Sequence, residues 1–162
     1  AIMRMSGEGP TFDANTECAI AYHHTKYQVE QGTAQLYAGD DMAQDTTPIL
    51  KPSFRLIADR IELKSKEVTH TQVPGEYATF CGWCVTPKGI IKEPRKLFAS
   101  LQLAKHIGKT AEVKTNYAHD LAHAYRLGDE LQDVLTPDEA AFHQATVRDL
   151  VTMGGVDFQW HP

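Results

Sequence analysis

With 162 residues, 42% of them hydrophobic, the chain is long enough for one compact domain or two small lobes sharing a core. No apolar stretch is long enough to span a membrane and the start has no charged-then-apolar signal pattern, so the expected setting is the cytosol. The net charge of -5 conceals a basic middle: residues 51–109 hold eleven Lys or Arg against five Asp or Glu, and the remainder holds five against sixteen.

Such a middle suggests a local surface for a polyanion, because Lys and Arg gain affinity for phosphates by releasing counterions. The competing reading is a set of solvated helix faces. Cys18, Cys81 and Cys84 are odd in number and lack framework spacing, which fits reduced thiols. The chain starts at Ala1 and runs directly into motif-like sequence, so it is expected to be a piece of a longer polypeptide.

The opening, Ser6-Gly7-Glu8-Gly9-Pro10-Thr11, is a constrained loop. Ala14, Cys18, Ala21 and Tyr22 then follow helical spacing, with Thr11 as the expected cap and Asp13 in the first turn. Thr11 and Asn15 stand one turn apart and project the same way. A glycine loop feeding a helix that carries Ser, Thr and Asn can contact a sugar or a phosphate, although Ser and Thr before a helix are also routine caps.

Residues 33–38 alternate, with Ala34, Leu36 and Ala38 able to face one side of a strand and Thr33, Gln35 and Tyr37 the other. Gly39-Asp40-Asp41 then makes the chain turn before an extended Met42-Ala43, which predicts a hairpin with carboxylates at its tip. Such a tip can hold a divalent metal, and it is also ordinary turn chemistry.

Leu50, Phe54, Ile57 and Ile61 predict one amphipathic helix covering the sheet, with Pro52 in its first turn. It runs out into Leu63-Lys64-Ser65-Lys66. Residues 77–85 read as a strand interrupted at Gly82, followed by a turn at Thr86-Pro87-Lys88-Gly89 and a return strand Ile90-Ile91-Lys92. Cys81 and Cys84 have C-x-x-C spacing, but no second cysteine pair exists to support a zinc or redox reading.

The last seventy residues read as helical. Leu97, Leu101 and Ala104 space one helix that stops at Gly108. Tyr117, Leu121 and Ala124 space another that stops at Gly128, and Thr136-Pro137-Asp138-Glu139 is a capping box opening a third. His119 and His123 share one helix face, as in a zinc hydrolase, yet Asp120 stands where that motif needs Glu, and no third ligand is evident.

Ser6-Gly7, Thr11 and Asn15-Thr16 fit the SG-x3-T-x3-NT pattern of the B motif in positive-strand viral RNA polymerases, and Gly39-Asp40-Asp41 follows as the C motif would. The wording resembles the replicase polymerase of potexviruses and their relatives in the alphaflexivirus group, and the resemblance extends through Phe80-Cys81-Gly82-Trp83 to about residue 105. It implies an α+β polymerase palm over residues 1–92, in which an antiparallel sheet with the GDD hairpin packs on helices, and an all-helical thumb over 93–162. Fingers and the A motif would lie outside this chain.

The resemblance further implies an RNA-directed RNA polymerase, a nucleotidyltransferase acting in viral RNA replication. Asp40 would hold catalytic Mg2+, with Mn2+ as an alternative, together with an A-motif aspartate, and Asp41 matches the less exacting second position. Ser6, Gly7, Thr11, Asn15 and Gly39 would lie along template and nucleotide, reading the ribose 2'-OH. Either Lys64 or Lys66 matches the D-motif lysine that protonates the departing pyrophosphate. Cys81, Gly82 and Trp83 resemble the E-motif hairpin that supports the primer, and Arg95, Lys96, Lys105 and Lys109 would meet RNA phosphates.

Implied partners are RNA template and nascent strand, nucleoside triphosphates, and the rest of a replicase polyprotein with its methyltransferase and helicase domains. The implied location is the host cytoplasm, in membrane-associated replication complexes. Without the A-motif aspartate the isolated chain is expected to be inactive. The alternative is a nonenzymatic RNA-binding or replication-complex module in which the aspartates are only a turn.

Overall fold

The computed structural model describes residues 9–61, 74–125 and 131–156. It is α+β, with three small antiparallel sheets. Contacts divide the chain into two units, Ala1–Thr69 and His70–Pro162. The boundary expected at 92/93 therefore falls inside the second unit, because the strands after residue 77 pack with the helices that follow them.

In the first unit, α1 (Gly9–Lys26) leads into β1 (Tyr27–Gln28), β2 (Gln35–Ala38), β3 (Asp41–Gln44) and β4 (Ile49–Leu50). Among the described residues β1 pairs with β4, and β2 with β3. Thr11 is not a cap: the helix already includes Gly9, and Thr11 is buried within its first turn. Asp13 lies just past that turn, and Cys18 and Ala21 of the expected apolar stripe are exposed.

The single helix expected from Leu50 to Ile61 is absent. Leu50 belongs to β4, opposite Tyr27, Pro52–Leu56 forms a 3-10 turn, and α2 covers only Ala58–Ile61. Ile57 at φ -121° separates the two helical pieces. Of the four residues in the predicted stripe only Phe54 is buried. Its partners are Tyr22, edge-on at 6.1 Å, and the Lys26 ammonium.

Lys26 is only 7% exposed, and its Nζ lies 5.3 Å, 5.6 Å and 5.8 Å from the ring centroids of Tyr27, Phe54 and Tyr22. A cation removed from water needs such compensation, which ring quadrupoles supply at their negative faces. The backbone N–H of Lys51 donates to the Lys26 carbonyl, and Lys51 Nζ donates to that of His24 at 2.7 Å. Polar contacts thus hold the β1–β4 ribbon to the end of α1.

In the second unit, β5 (Ala78–Phe80), β6 (Trp83–Thr86) and β7 (Gly89–Lys92) form a meander, followed by α3 (Pro94–Ile107), α4 (Thr110–His123), α5 (Leu131–Val134) and α6 (Pro137–Thr152). The interrupted strand is in fact two strands joined at Cys81-Gly82. Both turn residues have positive φ, 51° and 80°, the pattern of a type I′ hairpin. The predicted return after Pro87-Lys88 is present, with Thr86 paired to Gly89.

Cys84 and Ile91 face each other across β6 and β7 and bury against Val134 and Leu135. A second cluster joins Leu101, Tyr117 and Leu150 from α3, α4 and α6, and Tyr125 packs against both clusters. Pro94 opens α3 where its missing N–H costs nothing, and Gly108 closes it at φ 74°. The Thr136 box at α6 is complete, and Glu139 of that box also accepts a hydrogen bond from Tyr77 on the strand side. α4 ends at His123; Gly128 is outside the described residues.

Candidate functional site

The hairpin predicted around Gly39 is present. Ala38 pairs with Asp41, leaving Gly39-Asp40 as a two-residue turn. Gly39 has φ 55°, and Asp40 is not among the positive-φ residues. Positive φ at the first central position alone is the pattern of a type II′ turn, whose twist matches the flanking strands and which calls for Gly there. Asp40 thus sits on the turn itself and Asp41 begins the return strand, both exposed.

α1 lies behind this turn. The Gly39 N–H donates to Thr16 Oγ1 at 2.8 Å, and Thr16 Oγ1 donates in its turn to the Phe12 carbonyl at 2.9 Å. The Phe12 ring lies 3.6 Å from where a Gly39 side chain would begin. Further along the hairpin, Gln44 Nε2 donates to the Thr46 carbonyl at 2.8 Å, and a carbonyl can only accept. That orients the amide, so Gln44 Oε1 accepts from Gln35 Nε2 at 3.2 Å and from His23 Nε2 at 2.9 Å. His23 therefore carries its proton on Nε2 in this contact.

The side of the hairpin that meets α1 is thus lined by Gln35, Tyr37 and Gln44, while Leu36 is exposed. Tyr37 lies 6.0 Å from the His23 ring, and its hydroxyl is pushed upward in pKa, chiefly by burial. Neither Thr16 nor His23 was marked as a site residue from sequence. Thr16 stood inside the B-motif pattern, but nothing local tells a helix threonine that it will meet a turn 23 residues away.

The donor set at the turn is two carboxylates, hard oxygen ligands that suit Mg2+ or Mn2+ better than a soft or borderline ion. Among the described residues no three His, Cys, Asp or Glu gather as a metal site. Two exposed carboxylates are a partial donor set, which would hold such an ion only together with further oxygen ligands.

The other predicted residues are dispersed. Asn15 is half-buried on α1 beside the turn-binding Thr16, and Thr11 is 3% exposed. Ser6, Gly7, Lys64 and Lys66 lie outside the described residues. Cys81 and Gly82 form the β5–β6 turn, and Trp83 packs on Tyr125 with its ring centroid 5.4 Å away. Lys92 Nζ lies 5.7 Å from the Trp83 ring centroid.

Arg95 pairs with Asp138 and lies over Phe142, Lys96 pairs with Glu93 at 2.9 Å, and Lys105 pairs with Asp149 at 3.2 Å. Arg95, Lys96 and Lys105 of the expected phosphate-binding cations thus already have carboxylate partners, and Lys109 is exposed ahead of α4. These pairs are solvent-accessible, and such pairs are weak.

The C-x-x-C reading fails on burial: Cys81 is exposed on the turn, whereas Cys84 is in the core with its thiol pushed up to about 11 by burial. A thiol so shifted is a poor nucleophile at neutral pH. His119 and His123 do stack, with centroids 4.2 Å apart, and His123 Nδ1 is 2.9 Å from the His119 carbonyl, but no third ligand joins them among the described residues.

No family model matches the chain, and no solved structure matches it. Its sequence is 67% identical over 156 residues to the RNA replication protein of Strawberry mild yellow edge-associated virus, covering 96% of this chain and 12% of that protein. It is 57% identical over 151 residues to the RNA replication protein of Indian citrus ringspot virus, covering 93% and 9%. With the RNA replication protein of Potato virus X it shares 48% identity over 154 residues, covering 95% and 11%. The chain spans about a tenth of the length of the curated relatives it matches. Along nearly its whole length, then, this chain is homologous to a segment of the RNA replication proteins of potexviruses and related viruses.

Proposed function

We propose that the chain is the segment of a viral RNA-directed RNA polymerase that carries the C-motif hairpin and the helix behind it. The observation that carries this reading is the Gly39-Asp40 turn, which exposes two adjacent carboxylates while its own backbone is tied to α1 through Thr16.

In this reading Asp40, with Asp41 beside it, holds Mg2+ or Mn2+ together with a carboxylate from outside this chain. The ion, when bound, supplies positive charge that favours ionisation of the primer 3'-hydroxyl and offsets charge on the leaving pyrophosphate. Gly39 lets the chain reverse without strain, so that Asp40 is presented at the tip. α1 braces the turn from behind, and Asn15 on that helix contributes to nucleotide selection. Lys64 or Lys66 donates a proton to the departing pyrophosphate, which requires only an ammonium within hydrogen-bond reach.

Residues 1–92 belong to a palm and 93–162 to a helical thumb in this reading, with Cys81, Gly82 and Trp83 along the primer. Template RNA, nascent strand, nucleoside triphosphates and the remainder of the replicase are its partners, in replication complexes on host membranes. In this reading the isolated 162 residues are expected to incorporate no nucleotide, because the chemistry requires a carboxylate beyond those of Asp40 and Asp41.

The test is nucleotide incorporation by the longer RNA replication protein containing this segment, with Asp40→Ala and Asp40→Asn. Loss of incorporation with RNA binding retained is expected. Full activity in both variants would leave the nonenzymatic RNA-binding module as the better reading.

A further inference from the structure

We infer that Thr16 is a positioning residue for the metal-binding turn: its hydroxyl sets the conformation of Gly39, and through Gly39 the direction in which Asp40 is presented. This rests on the reading of Asp40 given above and adds to it a residue that does not touch metal or substrate.

The case starts from an accounting of backbone groups. Gly39 is buried, although it stands at the tip of a two-residue turn. A buried N–H needs a partner, and the first central residue of such a turn has none within its own ladder. Thr16 Oγ1 supplies it at 2.8 Å from across the sequence. The same hydroxyl donates its proton to the Phe12 carbonyl at 2.9 Å, which directs its lone pairs away from its own helix.

Gly39 N–H, Thr16 O–H and Phe12 C=O thus form a directed chain in which each bond polarises the next. Phe12 closes the arrangement sterically: its ring lies 3.6 Å from where a side chain on Gly39 would begin. A directional bond and a ring, both from α1, thus meet the turn at Gly39.

The consequence for chemistry follows from geometry. Asp40 is bonded directly to Gly39, so a rotation of the Gly39 peptide moves the Asp40 carboxylate. Catalytic groups displaced by about 1 Å lose on the order of a hundredfold in rate. A hydroxyl that fixes that peptide acts on turnover and on metal affinity, and not on the binding of the RNA strand.

The experiment uses the longer RNA replication protein. Hydrogen exchange of the Gly39 amide in the unsubstituted protein is expected to be slow, and exchange at the rate of a solvated amide would overturn the inference whatever the variants do. Thr16→Val removes the hydroxyl while keeping the shape. It is expected to lower kcat about ten- to a hundredfold and to raise the half-saturating Mn2+ concentration, with KM for template RNA unchanged.

Thr16→Ser, which keeps the hydroxyl, is expected to restore the rate to within about threefold. A loss in Thr16→Ser as large as that in Thr16→Val would show that the site responds to any change of side-chain shape rather than to the hydroxyl and would overturn the inference, as would a fall in kcat with unchanged metal dependence. Asp40→Ala run alongside separates the two levels. Activity retained there defeats the polymerase reading, while the Gly39 amide still reports on Thr16.

Discussion

The two units bury different kinds of residue. In the second, Cys84, Ile91, Val134 and Leu135 form one buried cluster and Leu101, Tyr117 and Leu150 another, Tyr125 packs against both, and Ala104 and Thr146 are buried as well. Among the described residues of the first, the buried apolar side chains are Tyr27 and Phe54, and beside them lie Thr11, His23 and Lys26. Apolar burial is nondirectional and tolerates small shifts, whereas hydrogen bonds and cation–ring contacts act only at defined geometry. The unit that carries the carboxylate turn is therefore the one whose interior is specified by direction rather than by area.

Substitutions can break that comparison or sharpen it. In the second unit, Leu101→Ala removes a fully buried side chain and is expected to cost about 2–5 kcal/mol, read from the urea midpoint of the chain. The largest response expected in the first unit is that of Phe54→Ala, about 3–5 kcal/mol in the same measurement, because its ring is a wall for Lys26 as well as buried area. A cost below about 1 kcal/mol would show that the Lys26 cage is not what holds this unit.

Gly75→Ala is smaller and tests packing at the start of α6. Gly75 has φ 84°, and an added Cβ would meet Thr136 Cγ2 at 2.6 Å, so a loss of about 1–3 kcal/mol is expected. Thr136→Ala removes the cap acceptor and is expected to cost about 1 kcal/mol, visible as faster amide exchange at Glu139.

The smallest effect is electrostatic. The Asp149 carboxyl is held below its ordinary range first by Gln102 and then by Lys105. A depressed carboxyl contributes stability that is present above its unfolded pKa and lost as pH falls through its folded value. Asp149→Asn is therefore expected to flatten the acid side of the melting-temperature profile and to leave the alkaline side as it was.

What could be read along the chain was local. Gly39, Gly108 and the Thr136 box each act within a few residues, through a positive φ or a side chain bonding a nearby backbone group, and each was found where expected. The failures are equally particular. Leu50 to Ile61 has helical spacing, but Leu50 was taken by a long-range pairing with Tyr27, and the helix broke at Ile57. Cys81 shares the turn with Gly82, and positive φ is uncommon outside glycine, so the local pattern marks the glycine and not its neighbour.

The sequence by itself determined the carboxylate hairpin, the capped helices and the homology to viral RNA replication proteins, since these depend on residue identity at short range or over the whole aligned length. Tertiary structure alone decided that the hairpin rests on Thr16 and His23, that Lys26 is enclosed by three rings, and that Arg95 already has a carboxylate partner. Those contacts join residues far apart in the chain, and no periodicity or local pattern encodes which of many equally spaced side chains will meet.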